Sequence, residues 1–454
     1  MCIICDNNYE GITELRIDNC NNIKEISNIK GLRYLDINNC NNIKEISNFG
    51  RLQELHIYKC ENITEISNII GMYRLTIDSC KNIKKILNLE GLNILEITNC
   101  NNINILTILN IKGLNYLDIR NCKNIWDCKN IKEISNIKDL NKLHLHIEDC
   151  ENIKEIPNIE GLPVLSITNC NNINEIPYIE GLKYLCIDNC ENIKEIPYIK
   201  GLEAIYIDNC RDIPEIPDIE GLYRIIIHNC NDIKKIPSIE ELKYLKIWNC
   251  NDIKEIPKYK ILETLTIWNC NNIKKIPNLE GLKELVIKNC YNIKEISNIE
   301  GLKELSIDSC DNIEEIPCFK KLETLSIKNC LDIKKIPYCE KLKSLYIQFH
   351  YLHILNLITI NKIPYIEGLE NLTIQDCHDT DINEILKFKK LKQLHIYNCK
   401  NIKEIPNIKG LQKLSISNCD NIKEIQNVYK YGIYGLNIYN CRYLKNIPIN
   451  DNFK

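Results

Sequence analysis

Residues 241–260 read ELKYLKIWNCNDIKEIPKYK, and the twenty residues on either side repeat that phrase with small changes. GLYRIIIHNCNDIKKIPSIE stands before it at 221–240, and ILETLTIWNCNNIKKIPNLE follows at 261–280. Cysteine recurs every twenty residues from Cys20 to Cys100 and again from Cys150 to Cys330. A fixed period of this length predicts a solenoid of stacked coils rather than a globule around one central core.

Within one coil the pattern is specific. Leu242, Leu245, Ile247, Cys250, Ile253 and Ile256 mark the inward positions, and Leu245 and Ile247 alternate with Tyr244, Lys246 and Trp248 at strand periodicity. The resulting LxxLxIxxCxxI resembles the leucine-rich-repeat family, in its form with cysteine where many members carry asparagine. The resemblance runs over residues 12–448 in about twenty copies. It implies a right-handed solenoid or arc with a parallel β-sheet on the concave face, each coil adding one strand about 4.8 Å from its neighbour. A lone coil cannot bury its apolar residues, so stacking has to supply the stability.

The second half of each coil, NIKEIPxIEG, is too short for a regular helix. It carries Pro157, Pro177, Pro197, Pro217, Pro237, Pro257, Pro277, Pro317, Pro337, Pro364 and Pro406. Proline fixes φ and removes a donor, so the convex segments should be extended, polyproline-like or 3₁₀. In this the chain is similar to the leucine-rich repeats of bacterial secreted effectors and of some large DNA viruses. Ser27, Ser47, Ser67, Leu87 and Thr107 occupy the proline position in the first coils. A less rigid N-terminal end is the expectation there.

Residues 1–454 are expected to form a single solenoid, irregular at 101–150 and 350–377. Cys122 and Cys150 stand 28 apart, with CKNI written twice around Trp126 and Asp127; His350 replaces a cysteine, and YLHILNLITI follows it. Both places predict bulges or register adjustments, with a hinge compatible with either. Repeats run almost to both ends, so the polar cap that solenoids use is not visible, nor is a separate catalytic domain.

Net charge is −3, from 58 basic against 61 acidic residues. That balance offers no bulk attraction to nucleic acid or an anionic membrane. The opening MCIICDNNYEGITEL lacks a basic and then apolar leader, and the longest apolar stretch is too short to span a bilayer. An intracellular, cytoplasmic and reducing setting follows, with most of the 26 cysteines free.

The cysteine column invites a metal or redox reading. Cysteine is also a small residue that buries well and donates weakly, and side chains stacked in register do not converge as tetrahedral zinc requires. Packing is therefore the expectation, with no metal and no cofactor. Cys2 and Cys5 form a lone CxxC; Cys318 and Cys339 lie off the column on neighbouring coils; Cys186 falls on the solvent side of its strand. His144 and His146 share a strand face beside Glu148. No HExxH, GxSxG or phosphate-binding loop is present, so the reading is not an enzyme.

What varies between coils is the outward strand face. Tyr184, Tyr206, Arg224, His228, Tyr244, Lys246, Trp248 and Trp268 gather aromatic and cationic side chains on successive strands. Such clusters mark binding hot spots, though aromatic ladders also stabilise sheets. The face is acidic early, through Asp18, Asp36, Asp78, Glu96, Asp118, Asp188 and Asp208, with Lys246, Lys288 and Lys328 later. The expected function is a non-catalytic protein–protein interaction scaffold, host-directed by analogy with the viral and bacterial repeats. The alternative is a structural protein self-assembling end to end through uncapped terminal coils.

Overall fold

The computed structural model describes residues 11–26, 29–103, 108, 111–122, 142–333, 335–348, 363–376, 382–426 and 435–445. Two compact units follow one another along the chain, Met1–Ile233 and Lys234–Lys454. Each is a solenoid built on a parallel sheet, one five-residue strand per coil.

In the first unit the strands run from Glu14–Asp18 to Arg224–His228, and in the second from Tyr244–Trp248 to Gly435–Tyr439. Successive strands pair in parallel with identical register, so that Leu185 meets Ile205 and Trp248 meets Trp268. Longer coils keep that register. His144 pairs with Tyr116, and Asn371 with Ser344, although each coil between them carries extra residues. The strands on either side of both insertions therefore pair in the common register. Trp126, Asp127, His350 and YLHILNLITI lie outside the described residues, as do Cys2, Cys5, Ser27 and Thr107.

The inward positions form the core. Leu242, Leu245, Ile247, Cys250 and Ile253 are fully buried, as are their equivalents in neighbouring coils. Tyr259 takes the place of an isoleucine inside, and its hydroxyl donates to the Pro237 carbonyl at 2.7 Å. That bond satisfies a polar atom that burial would otherwise leave costly.

Each strand ends in a residue with positive φ immediately before the cysteine column: Asn189 at 51°, Asn249 at 52°, Asn269 at 50°. Asparagine enters the left-handed region more readily than most residues, which explains the repeated Asn-Cys pair. Its side chain then bonds the next coil, with Asn269 Nδ2 donating to Asn249 Oδ1 at 2.7 Å and Asn189 Nδ2 to Asn169 Oδ1 at 2.6 Å. This second column, polar and outside the cysteines, was not foreseen.

Most proline-bearing segments on the back are extended without regular pairing. Segments without proline behave differently. Glu45–Ser47, Glu65–Ser67 and Lys85–Leu87 form a three-stranded parallel sheet of their own. Glu295–Ile296 pairs with Lys275–Ile276, and the Ser297 amide donates to the Ile276 carbonyl at 2.9 Å. Proline has no N–H to make that bond. The expectation of looser early coils is corrected accordingly: Ser47, Ser67 and Leu87 stand in coils that carry more backbone pairing on their backs, not less. One back segment, Ile382–Lys387, is a 3₁₀-helix.

Candidate functional site

The outward strand positions divide between the two units. Tyr184, Tyr206, Arg224 and His228 belong to the first, and Tyr244, Lys246, Trp248 and Trp268 to the second.

In the first unit the shared register brings three side chains onto Asp208. The Tyr206 hydroxyl donates to its carboxylate at 2.9 Å, His228 Nδ1 at 2.9 Å, and Asn229 Nδ2 at 3.0 Å. Burial and then the hydrogen bond to Asp208 push the Tyr206 hydroxyl well above its usual value. Burial and the Asp208 charge raise the Asp188 carboxyl on the adjacent strand. Tyr184 and Arg224 stay exposed at the start of their strands. The Tyr184 hydroxyl is pushed up to about 12, first by its hydrogen bond with Tyr223. Cys186, between these residues, is half-buried, and burial raises its thiol, so its position does not activate it.

In the second unit Trp248 and Trp268 stack, with ring centroids 4.0 Å apart and planes 9° from parallel. Lys288, one strand further, sets its ammonium 4.5 Å from the Trp268 centroid. Its Nζ also stands 3.7 Å from Asp308 Oδ2. The row Trp248, Trp268, Lys288, Asp308 is therefore one continuous ladder, each member resting on the next. Both faces of Trp268 are covered, and its indole nitrogen is buried without a hydrogen-bond partner among the described residues. Tyr244 and Lys246 are exposed beside them. Neither Lys288 nor Asp308 was among the expected site residues. The twenty-residue register alone places Lys288 beside Trp268 and Asp308 beside Lys288.

The early acidic character of the face is compensated by arginine at Glu96 and Asp118. Arg74 Nη2 bonds both Glu96 oxygens, at 2.7 and 2.9 Å. Arg120 holds the buried Asp118 at 2.9 Å and Glu148 at 3.2 Å. His146 stands 3.5 Å from Glu148, whereas His144 is exposed.

The cysteine column packs as an internal ladder. The Cys40 amide donates to Cys60 Sγ at 3.4 Å, while that thiol donates to the Tyr58 carbonyl at 3.2 Å. Burial pushes the thiols of Cys60 and Cys290 up to about 11, and of Cys80, Cys122, Cys190 and Cys330 to about 12. Among the described residues no group of three or more His, Cys, Asp or Glu side chains is placed to hold a metal ion. Cys318 is an exposed free thiol that donates to the Tyr338 carbonyl at 2.8 Å, and Cys339 beside it is buried and free. No helix among the described residues is long and apolar enough to cross a membrane.

A parallel strand in every coil, a buried LxxLxIxxCxxI and thin backs define a leucine-rich-repeat protein. Residues 157–290 and 297–420, more than half of the chain, match the family described as plant disease resistance protein RPS2-like, leucine-rich repeats, and the chain belongs to it. No curated protein matches the chain. Among solved structures, TLR13 in a complex with ssRNA13 is similar at 13% identity and a TM-score of 0.45, over 90% of this chain and 75% of that one. CroV588, described as a novel circular LRR protein, is similar at 17% identity and a TM-score of 0.48, over 86% of this chain. This chain spans 64% of its length, less than two thirds. YopM from Yersinia enterocolitica WA-314 is similar at 13% identity and a TM-score of 0.34, over 97% of this chain and 91% of that one.

Proposed function

We propose that residues 1–454 act as one leucine-rich-repeat scaffold, non-catalytic and intracellular, that binds a protein partner on its strand face in a host-directed role. Two patches carry the contact, one of Tyr184, Tyr206, Arg224 and His228, the other of Tyr244, Lys246, Trp248 and Trp268. The supporting observation is the second patch. Inward residues repeat from coil to coil because every coil needs them, and corner asparagines and back prolines recur in most coils. A stacked tryptophan pair flanked by an exposed tyrosine and two lysines spans three successive coils and serves no requirement common to the others.

Covered ring faces favour protein over nucleic acid. Single-stranded nucleic acid binds through bases laid on open aromatic faces within a basic groove. Here Trp268 has Trp248 against one face and Lys288 against the other. A partner meets the flank of the stack and the methylene stems of lysines, which suits the side chains of a protein surface.

The test is capture from cell lysate on immobilised protein, comparing the native chain with the Trp248→Ala, Trp268→Ala double variant. A partner held by the native chain should be lost from the variant at unchanged far-UV circular dichroism. Equal recovery of every captured protein would remove the second patch from the function.

A further inference from the structure

We infer that the partner segment recognised by the second unit is an extended peptide whose side chains run acidic, apolar, basic as it crosses successive strands. This rests on the proposed interaction face and specifies what that face selects.

The observations concern charge. Lys246 is exposed on the strand face, and among the described residues no carboxylate lies within ion-pair distance of it. Its register partner is the uncharged Thr266, and the next strand presents Val286 in the same row. Lys288 adds a second ammonium nearby, committed in part to the Trp268 ring and to Asp308. The Tyr244–Trp248 and Thr264–Trp268 strands thus offer exposed Lys246 beside the stacked, half-buried Trp248 and Trp268. This arrangement matches a carboxylate followed by an apolar side chain.

Two strands from Lys246, roughly 10 Å away at the usual strand spacing, the polarity reverses. Glu284 and Glu304 stand directly opposite each other on adjacent strands. Like charges in that position destabilise a sheet. Among the described residues no cation forms an ion pair with either of them, although the neighbouring Lys283 pairs with Glu263 at 3.0 Å. A cation from outside relieves the repulsion. Between the two charged places lie Thr266 and Val286, half-buried and uncharged. A peptide laid across the strands can therefore set a carboxylate at Lys246, an apolar group over the tryptophan stack and Val286, and a lysine or arginine at Glu284 and Glu304.

The experiment is selection of a random-sequence peptide library on the full-length chain, in parallel with Lys246→Glu and the Trp248→Ala, Trp268→Ala variant. Native protein should enrich peptides with Asp or Glu a few residues from Lys or Arg, separated by an apolar residue. Synthesised hits should lose about tenfold in affinity, or about 1.4 kcal/mol, with Lys246→Glu. That variant should in turn enrich peptides with a basic residue at the acidic position. Peptides lost with the tryptophan variant but showing no charge order, or unaffected by Lys246→Glu, would overturn this inference and leave the interaction face standing. Enrichment indifferent to both variants, or none at all, would overturn both. A single-stranded oligonucleotide that competes for the same hits, with its binding abolished by the tryptophan variant, would also refute a peptide partner.

Discussion

Replacing Cys60 by alanine measures what the cysteine column contributes. Its Sγ accepts the Cys40 amide at 3.4 Å and donates to the Tyr58 carbonyl at 3.2 Å, with the Ile37 carbonyl at 3.8 Å. The residue is fully buried. Alanine leaves the Cys40 N–H without an acceptor inside the coil, which costs about 1–2 kcal/mol. Loss of the sulfur's own packing, comparable to a methylene group, adds about 1 kcal/mol. The sum, about 2–3 kcal/mol, exceeds the loss of about 0.5 kcal/mol or less expected of a substitution away from such features. Cys186→Ala, half-buried on the strand face, is the control for removing a thiol outside the column. Cys60→Ser keeps a donor and an acceptor and should fall between the two. Urea unfolding followed by far-UV circular dichroism reads all three variants. A Cys60→Ala midpoint no lower than that of Cys186→Ala would show that the ladder bonds do not hold the coils together, and would reopen a chemical role for the column.

A thiol raised from the ordinary value of 9.0 to about 12 carries about a thousandfold less thiolate at neutral pH, so iodoacetamide should modify exposed Cys318 well before Cys80, Cys122 or Cys190, as read by peptide mass spectrometry; equal rates would contradict the packing. Because these folded-state values are raised, their share of stability is complete below about pH 9 and falls as pH rises from there towards about 12, by about 1.4 kcal/mol per unit for each thiol; a thermal midpoint flat from pH 8 to 11 would rule this out. Ser297→Pro removes the amide that bonds the Ile276 carbonyl and should cost about 1–3 kcal/mol. The reverse change, Pro277→Ser, should be nearly neutral, since a bond worth about 1 kcal/mol offsets the lost chain stiffening of about 0.4–1 kcal/mol; urea midpoints separate the two. Asn269→Val, placing a β-branched residue at φ 50° and deleting the bond to Asn249, should cost about 2–3 kcal/mol, and Asn269→Gly about 1 kcal/mol; the opposite order of thermal midpoints would refute the left-handed corner as the reason for asparagine.

What the sequence determined by itself was the coil. Leu242, Leu245, Ile247, Cys250, Ile253 and Ile256 are legible as inward residues because one buried face recurs with a fixed period, and periodicity is a local property of the chain. Proline on the back was legible for the same reason, since a missing N–H acts wherever it occurs. Its complement was not. That Ser47, Ser67 and Ser297 build back-side ladders depends on which carbonyl the neighbouring coil sets opposite, and only stacking supplies that partner. The site divides in the same way. The exposed strand face and its aromatic and charged residues could be named from alternation alone. The convergence of Tyr206, His228 and Asn229 on Asp208, and the burial of both faces of Trp268 between Trp248 and Lys288, belong to the tertiary structure. Apart from Tyr206 and Asp208, on one strand, they join residues at least twenty positions apart, and they turn on the direction each side chain takes once parallel strands are in register.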